Sequence, residues 1–211
     1  MSLPGRRTGT PKRYVAAENT AWIRQTQRME LHTSRLLLRS YRRGDLAAVH
    51  SFASDPRLTE YVEWGPNTAQ DSRDFLAACL AETQQDPRRA FTFAITASDT
   101  VSDDAGGGPA AGPPFGSVGL TLEDAGTGEV GYVIAADRWG CGYATEAAAA
   151  VVHFGFTVLG LDRIRATCRP GNAASSRVLE KTGMVLEARL PAHKLIRGQW
   201  EDSLLYEISP S

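Results

Sequence analysis

The segment Gly131–Ala147 has the residue types of an anion-binding turn. An apolar stretch that predicts a strand ends at Ile134, and a long apolar helix is predicted after the turn. Gly140 and Gly142 stand between them, and because they lack a Cβ they let the backbone approach a ligand closely. Unpaired N–H groups and the dipole at a helix start favour negative charge, so the segment predicts a phosphate or pyrophosphate site.

Three phosphate-binding patterns compete for this turn. A Walker loop requires a Lys directly after its last glycine, and none stands here. The dinucleotide fingerprint requires a third small residue, where this chain has Thr145, and its ribose-binding acid would have to end the second strand. Asp162 instead precedes that strand. The third pattern, RxGxGxA, is matched by Arg138, Gly140, Gly142 and Ala144.

Together with other segments, this third pattern resembles the GNAT superfamily of acetyl-CoA-dependent N-acetyltransferases, in the branch of the Rim-type ribosomal-protein N-acetyltransferases. The resemblance covers about residues 31–208. It is carried by Thr33–Arg39, Glu129–Ile134, Trp139–Ala147 and Asn172–Met184, with Gly198, Asp202 and Tyr206 near the end. It implies an α/β (α+β) fold with a mixed, mostly antiparallel central sheet of about seven strands flanked by helices.

The resemblance also implies a coenzyme site, with acetyl-CoA as co-substrate and no metal. The backbone at Val133 and Ile134 would bind the pantetheine arm, and Asn172 would touch the coenzyme. Asn172 also precedes a predicted helix, where Asn is a favoured N-cap. The pyrophosphate would be cradled by Arg138, Trp139, Gly140, Cys141, Gly142, Tyr143, Ala144 and Thr145. The alternative is an ordinary tight turn around a buried Trp139.

Two residues are candidates for catalysis. An amine acceptor is mostly protonated at neutral pH and must lose a proton before it attacks a thioester. Glu129, at the start of the strand before the turn, could take that proton directly or through water. Ser175 could donate to the departing CoA thiolate and also contact the coenzyme. A solvated strand-edge carboxylate and an ordinary first-turn serine are the alternatives.

Other polar residues near the motif receive weaker interpretations. Trp64, Asp202 and Tyr206 are expected on the acceptor side, although Tyr206 also suits the sheet core. Glu146, in the first turn of a helix, suits a structural role at the helix dipole. Cys141 could in principle carry an acyl group, because a helix start lowers the pKa of a thiol, but direct transfer needs no nucleophile.

The elements that position these residues follow the order β-α-α-β-β-β-α-β-α-β-β. Thr68 and Asp71 predict a capping box at the start of the second helix. Alternating apolar residues predict the strand 163–168. Residues 98–114 hold Gly, Pro and Asp without a basic residue, which indicates an exposed loop between two strands.

Composition bounds the function and the organisation of the chain. The 211 residues carry 23 Lys and Arg against 24 Asp and Glu, a net charge of −1, which disfavours a nucleic-acid partner. Three separated cysteines disfavour disulfides and zinc. No apolar run is long enough for a membrane span, so a cytoplasmic enzyme is expected. Residues 1–30 are basic and indicate a flexible arm, with a transit peptide or docking arm as alternatives; residues 31–211 form the enzyme domain.

The sequence therefore predicts transfer of an acetyl group from acetyl-CoA to a primary amine in a ternary complex. The acceptor could be a protein N-terminal α-amine or a small molecule such as an antibiotic or polyamine. A non-catalytic coenzyme-A-binding sensor and a nucleotide-binding protein are the rival classes. Either a monomer or a homodimer is compatible with the sequence.

Overall fold

Eight strands form one sheet in the computed structural model, which describes residues 29–98, 112–123 and 126–210. Their order across the sheet is β1-β2-β3-β4-β5-β6-β8-β7, and only the β5–β6 pair is parallel. The fold prediction is confirmed, with one strand more than the seven expected. The strands are β1 (Glu30–His32), β2 (Leu36–Ser40), β3 (Ala90–Ala97), β4 (Gly116–Leu122), β5 (Thr127–Ile134), β6 (Arg163–Cys168), β7 (Val185–Ile196) and β8 (Gln199–Ile208).

Four α-helices flank the sheet within the described residues: α1 (Leu46–Ala53), α2 (Ala69–Glu82), α3 (Tyr143–Thr157) and α4 (Ala173–Lys181). The predicted capping box starts α2, because the Thr68 side chain accepts the Asp71 N–H and the Asp71 carboxylate accepts the Thr68 N–H at 2.8 Å. Asn172 caps α4, its Oδ1 accepting the Ser175 N–H at 3.0 Å. No helix of the described residues is long and apolar enough to cross a membrane.

Apolar residues fill both faces of the sheet. One cluster includes Phe93, Val151 and Leu179 and joins the sheet to α3 and α4. The other lies on the opposite face, against α1 and α2. Strand β5 contributes to both, because alternate side chains of a strand point to opposite faces. Val130, Tyr132 and Ile134 belong to the first cluster, and Val133 packs on the second.

Strands β5 and β6 separate soon after they begin. They share only three register pairs, which end at Glu129↔Arg165. Beyond that point β5 continues along β4 to Ile134, and β6 continues along β8 to Cys168. A wedge-shaped gap therefore opens in the middle of the sheet, toward the C-terminal ends of both strands.

The backbone of β5 faces this gap at alternate residues. The Ala135 N–H donates to the Phe115 carbonyl at 2.8 Å, on the β4 side. Because backbone groups also alternate along a strand, the N–H groups of Val130, Tyr132 and Ile134 point toward the gap. The N–H group of Val133 faces β4.

The β7–β8 hairpin is fastened to the loop after α1. The Arg197 guanidinium donates to the carbonyl of Glu60 at 3.1 Å and to that of Thr59. Lys194 Nζ lies 3.2 Å from Glu63 Oε1. The loop and the hairpin therefore form one wall beside the gap.

Two predicted segments fall largely outside the described residues. The proposed basic arm covers residues 1–30, of which Met29 and Glu30 are described, and Glu30 already belongs to β1. Of the predicted loop 98–114, residues 99–111 lie outside the description. Its described ends return to the sheet, since the Ser98 N–H donates to the Arg35 carbonyl and the Phe115 N–H to the Ile95 carbonyl.

Candidate active site

A cavity of about 1030 Å³ occupies the gap between β5 and β6. Its walls come from both strands, the start of α4, the loop after α1, and α2. Its polar and aromatic lining includes Tyr61, Glu63, Trp64, Asp71, Asp74, Glu129, Tyr132, Thr167, Cys168, Arg169, Asn172, Ser175 and Lys194. The predicted residues Glu129, Ser175, Asn172, Val133 and Trp64 are thus brought to one cavity.

Glu129 lies at the point where the two strands separate. Its Oε1 accepts a hydrogen bond from Thr167 Oγ1 at 3.2 Å, and the residue is half-buried. Glu129 and Val133 are four residues apart on one strand, so their side chains share the face covered by α1 and α2. The carboxylate therefore enters the cavity from that face, held by Thr167 and open to a ligand.

Ser175 enters from the opposite face, in the first turn of α4. Its Oγ lies 2.9 Å from Tyr132 Oη, which is also 3.2 Å from the Ser175 carbonyl oxygen. Burial raises the pKa of the Tyr132 phenol. Asn172 caps the same turn. The Glu129 carboxylate therefore lies on one face of the sheet, and the hydroxyl groups of Ser175 and Tyr132 lie on the other.

The glycine turn has the geometry that its sequence predicts. Gly140 has φ +75° and Gly142 φ +80°, the left-handed region in which a side chain is strained. A Cβ on Gly140 would meet open space, and one on Gly142 would meet only Arg35 Nη2 at 3.5 Å. No side chain caps α3 at Gly142. The first N–H groups of α3 are therefore available to an anion, and the turn fits a pyrophosphate.

The flanks of the turn are held by specific contacts. Trp139 is 53% exposed, so the alternative of a turn around a buried tryptophan is wrong. Its Nε1 donates to the Ile134 carbonyl at 2.7 Å. The Arg138 guanidinium lies 5.3 Å from the Phe115 ring centroid, with half of its side chain exposed. The indole thus ties the turn to the end of β5, and the arginine remains accessible to a phosphate.

Glu146 fastens the segment before β2 to α3, the role expected of a structural residue. Its carboxylate accepts from Thr33 Oγ1 at 2.6 Å, Ser34 Oγ at 3.1 Å and the Arg35 N–H at 2.9 Å, and it pairs with the Arg35 guanidinium. Burial raises the pKa of Glu146, but these hydrogen bonds outweigh it and lower the net pKa.

Sequence reasoning gave no role to Arg35, Tyr132 or Thr167. Arg35 Nη1 donates to the Cys141 carbonyl at 3.0 Å and so supports the glycine turn. Arg35 and Tyr132 lie inside segments that carried the family resemblance, which was the available signal. Thr167 is half-buried on β6, and only the pairing of β6 with β5 connects it to Glu129.

Two residues predicted near the acceptor lie elsewhere. Asp202 accepts the Ala192 N–H at 3.0 Å and pairs with Arg189 at 2.7 Å, and these contacts lower its pKa. Tyr206 is buried on the α4 side, with Oη 3.4 Å from Glu180 Oε1. Neither residue lines the cavity. Asp202 holds the irregular part of the hairpin, and Tyr206 belongs to the core.

The cysteines offer poor nucleophiles for covalent transfer. Cys141 is exposed in the glycine turn and does not line the cavity. Cys168 lines the cavity but is buried, and burial raises the pKa of its thiol. Nucleophilic attack needs the thiolate, which a raised pKa disfavours. Within the described residues, no group of His, Cys, Asp and Glu is arranged to hold a metal ion.

Several known proteins with a similar sequence or fold are named as acetyltransferases. The model of the acetyltransferase (GNAT) domain family matches residues 35–185. The N-acetyltransferase YnaD of Bacillus subtilis (strain 168) is 30% identical over 180 residues, which are 85% of this chain and 96% of that protein. An acetyltransferase of the GNAT family from Bacillus anthracis is 28% identical, with a TM-score of 0.72 over 86% of this chain and 98% of that one.

A further structural neighbour was solved with coenzyme A. Mycobacterium smegmatis RimJ in complex with CoA-disulfide has a TM-score of 0.69 and 24% identity, over 86% of each chain. The chain therefore shares its overall fold with a protein that was solved in complex with CoA-disulfide.

Proposed function

Since this chain belongs to the GNAT family and is an acetyl-CoA-dependent N-acetyltransferase, we propose that a primary amine attacks the acetyl thioester directly. Glu129 takes the proton of the amine, itself or through one water. Ser175 donates a hydrogen bond to the sulfur as the carbon–sulfur bond breaks. No covalent acyl-enzyme forms.

The observation that carries this proposal is the placement of Glu129 and Ser175 on opposite faces of the parted sheet. A thioester in the gap lies between them, with the acceptor on the α1–α2 side and the sulfur near α4. Base and donor then act on opposite ends of the reacting group. The N–H groups of Val130, Tyr132 and Ile134 supply donors for the oxyanion that develops on the carbonyl.

The glycine turn and the start of α3 are assigned to the pyrophosphate of the coenzyme. Their left-handed glycines, uncapped N–H groups and the accessible Arg138 support this assignment. Acetyl-CoA supplies an activated acetyl group when it is bound, and the turn holds the pyrophosphate of the coenzyme. The binding of coenzyme A by a protein of the same fold agrees with this reading.

For the acceptor, we propose an α-amine, with a protein N-terminus as the first candidate. An α-amine titrates near ~8 and a lysine amine near ~10.4, so a carboxylate base removes the α-ammonium proton more easily. Small-molecule amines remain the second candidate, because the carboxylates Glu63, Asp71, Asp74 and Glu129 line the cavity and attract cations.

Initial-rate kinetics test the direct mechanism. Release of CoA is measured while acetyl-CoA is varied at several concentrations of acceptor, using a short peptide with a free N-terminus, the same peptide N-terminally blocked but containing lysine, and spermidine. Intersecting reciprocal plots and an unmodified enzyme by mass spectrometry are expected. Parallel plots, or an acetyl group on Cys141 or Cys168, would refute direct attack.

The chain's binding preference is measured separately by thermal melting. Acetyl-CoA should raise the melting temperature because it binds the folded state, and NAD and ATP should raise it far less. Equal shifts with the three ligands would contradict the assignment of the turn.

A further inference from the structure

Tyr132 reaches from the middle of β5 to the first turn of α4 and contacts Ser175 twice. Its Oη lies 2.9 Å from Ser175 Oγ and 3.2 Å from the Ser175 carbonyl oxygen. Both residues line the cavity. At this level β5 and β6 no longer pair, and the Tyr132–Ser175 contact connects β5 to α4 beside the gap.

The two hydroxyl groups supply two hydrogens for this cluster, and their arrangement decides what Ser175 can do. When the Tyr132 hydrogen points at the Ser175 carbonyl, the 2.9 Å contact between the hydroxyls requires the serine to donate to Tyr132. When the Tyr132 hydrogen points at Ser175 Oγ, the serine hydrogen is released toward a third atom. Only the second arrangement leaves Ser175 free to donate into the cavity.

We propose that Tyr132 is a positioning residue for Ser175, donating its phenol hydrogen to Ser175 Oγ so that the serine hydrogen points at the departing sulfur. The inference rests on the proposed role of Ser175. As the nitrogen–carbon bond forms and the carbon–sulfur bond breaks, the electron pair stays on sulfur, and Ser175 donates a hydrogen bond to it. The ammonium proton goes to Glu129 before the attack, the second proton that the nitrogen loses as the amide forms is released to solvent, and Tyr132 keeps its own.

The chemistry of the groups agrees with donation rather than proton transfer. A thiol titrates near ~8.5 and a phenol near ~10, so a thiolate is too weak a base to deprotonate tyrosine. Burial raises the pKa of Tyr132 further. The phenol therefore remains protonated throughout, and a chain of two hydrogen bonds polarises Ser175 toward the sulfur.

A double-mutant cycle tests the inference. Single-turnover acetyl transfer is measured at saturating acetyl-CoA in the wild type, Tyr132→Phe, Ser175→Ala and the double variant. Each single variant should slow the chemical step about 10-fold, the loss expected for one hydrogen bond to a charged group. The double variant should be no slower than Ser175→Ala, because Tyr132 acts through Ser175. The coenzyme dissociation constant, from calorimetry, should stay within about twofold.

Two further variants guard against a purely structural effect. Tyr41→Phe removes another buried phenol hydroxyl, which donates to the Gly116 carbonyl at 3.3 Å outside the cavity, and should keep the wild-type rate. Ser175→Thr keeps a hydroxyl and should restore most of the rate lost in Ser175→Ala. Adding Tyr132→Phe to Ser175→Thr should slow it about 10-fold again.

The outcomes separate this inference from the proposed function. Losses that multiply in the double variant, or Tyr132→Phe at the wild-type rate, would overturn the positioning role alone. Ser175→Ala at the wild-type rate would overturn the role of Ser175 and, with it, that of Tyr132.

Discussion

Replacing Glu129 by Gln removes the carboxylate charge and preserves its known contact. The Gln side-chain carbonyl can still accept the hydrogen bond that Thr167 Oγ1 now donates to Glu129 at 3.2 Å. The variant therefore isolates proton abstraction from the packing of β5 against β6, and we expect its coenzyme affinity and melting temperature to match the wild type.

The size of the loss depends on the acceptor. Without a base, only the amine that is already neutral can react. At pH 7 that is about a tenth of an α-amine with a pKa near ~8, and about one part in 2,500 of a lysine amine with a pKa near ~10.4. The rate at pH 7 should thus fall about 10-fold for an α-amine and about 10³-fold for a lysine-type amine, provided that deprotonation is all that Glu129 contributes.

The assay is kcat/KM from pH 6 to pH 10 with a peptide α-amine and a lysine-type amine. The variant's deficit should shrink with rising pH and nearly vanish above the pKa of each amine. Glu187→Gln, an exposed carboxylate of β7 outside the cavity, is the matched control. An unchanged rate with an unchanged pH profile would refute Glu129 as the base, and a loss independent of pH would show that it acts on something other than the ammonium proton.

Three further predictions concern binding, stability and organisation. Gly142→Val should weaken acetyl-CoA binding at least 10-fold in calorimetry, because φ +80° strains a branched residue and its side chain would project beside the α3 amides. Unchanged affinity would show that the pyrophosphate does not bind at this turn. Glu146→Gln should lower the free energy of unfolding at pH 7 by about 2 kcal/mol. Because the folded-state pKa of Glu146 is lowered, that difference should hold above its unfolded pKa of ~4.3 and shrink as the pH falls toward the folded value. A difference in denaturant melts that does not shrink as the pH is lowered would contradict this. Removing residues 1–28 should leave the coenzyme dissociation constant unchanged, since the proposed enzyme domain begins after them, and a large loss would show that the removed segment supports the site.

Local signals predicted the features that short stretches of chain determine. The capping box of Thr68 and Asp71 and the cap at Asn172 both join residues three apart, so their partners can be identified from the sequence. The glycine turn is also local, because left-handed φ values and a helix start are properties of a few consecutive residues. These features include the glycine turn that we assign to the pyrophosphate.

Contacts between distant segments could not be predicted in the same way. Strand β1 has only three residues and exists through pairing with β2, and Tyr132 meets Ser175 across 43 positions. That Asp202 and Tyr206 do not line the cavity has a related reason. On the closing hairpin, register shifts between β7 and β8 and the alternation of faces decide which side chains reach the cavity. Motifs that are read one at a time do not reveal the register between β7 and β8.

The three-pair contact of β5 with β6 has a mechanical consequence. It divides the sheet into two parts, β1–β5 and β6–β8, which pair with each other only over the three register pairs that end at Glu129. A ligand in the gap would contact both parts of the sheet and could accept hydrogen bonds from the β5 amides that point toward the gap. If the coenzyme binds in the gap as proposed, it connects the two parts of the sheet, and we expect the amides of Val130, Tyr132 and Ile134 to exchange with solvent more slowly in the complex than in the free protein.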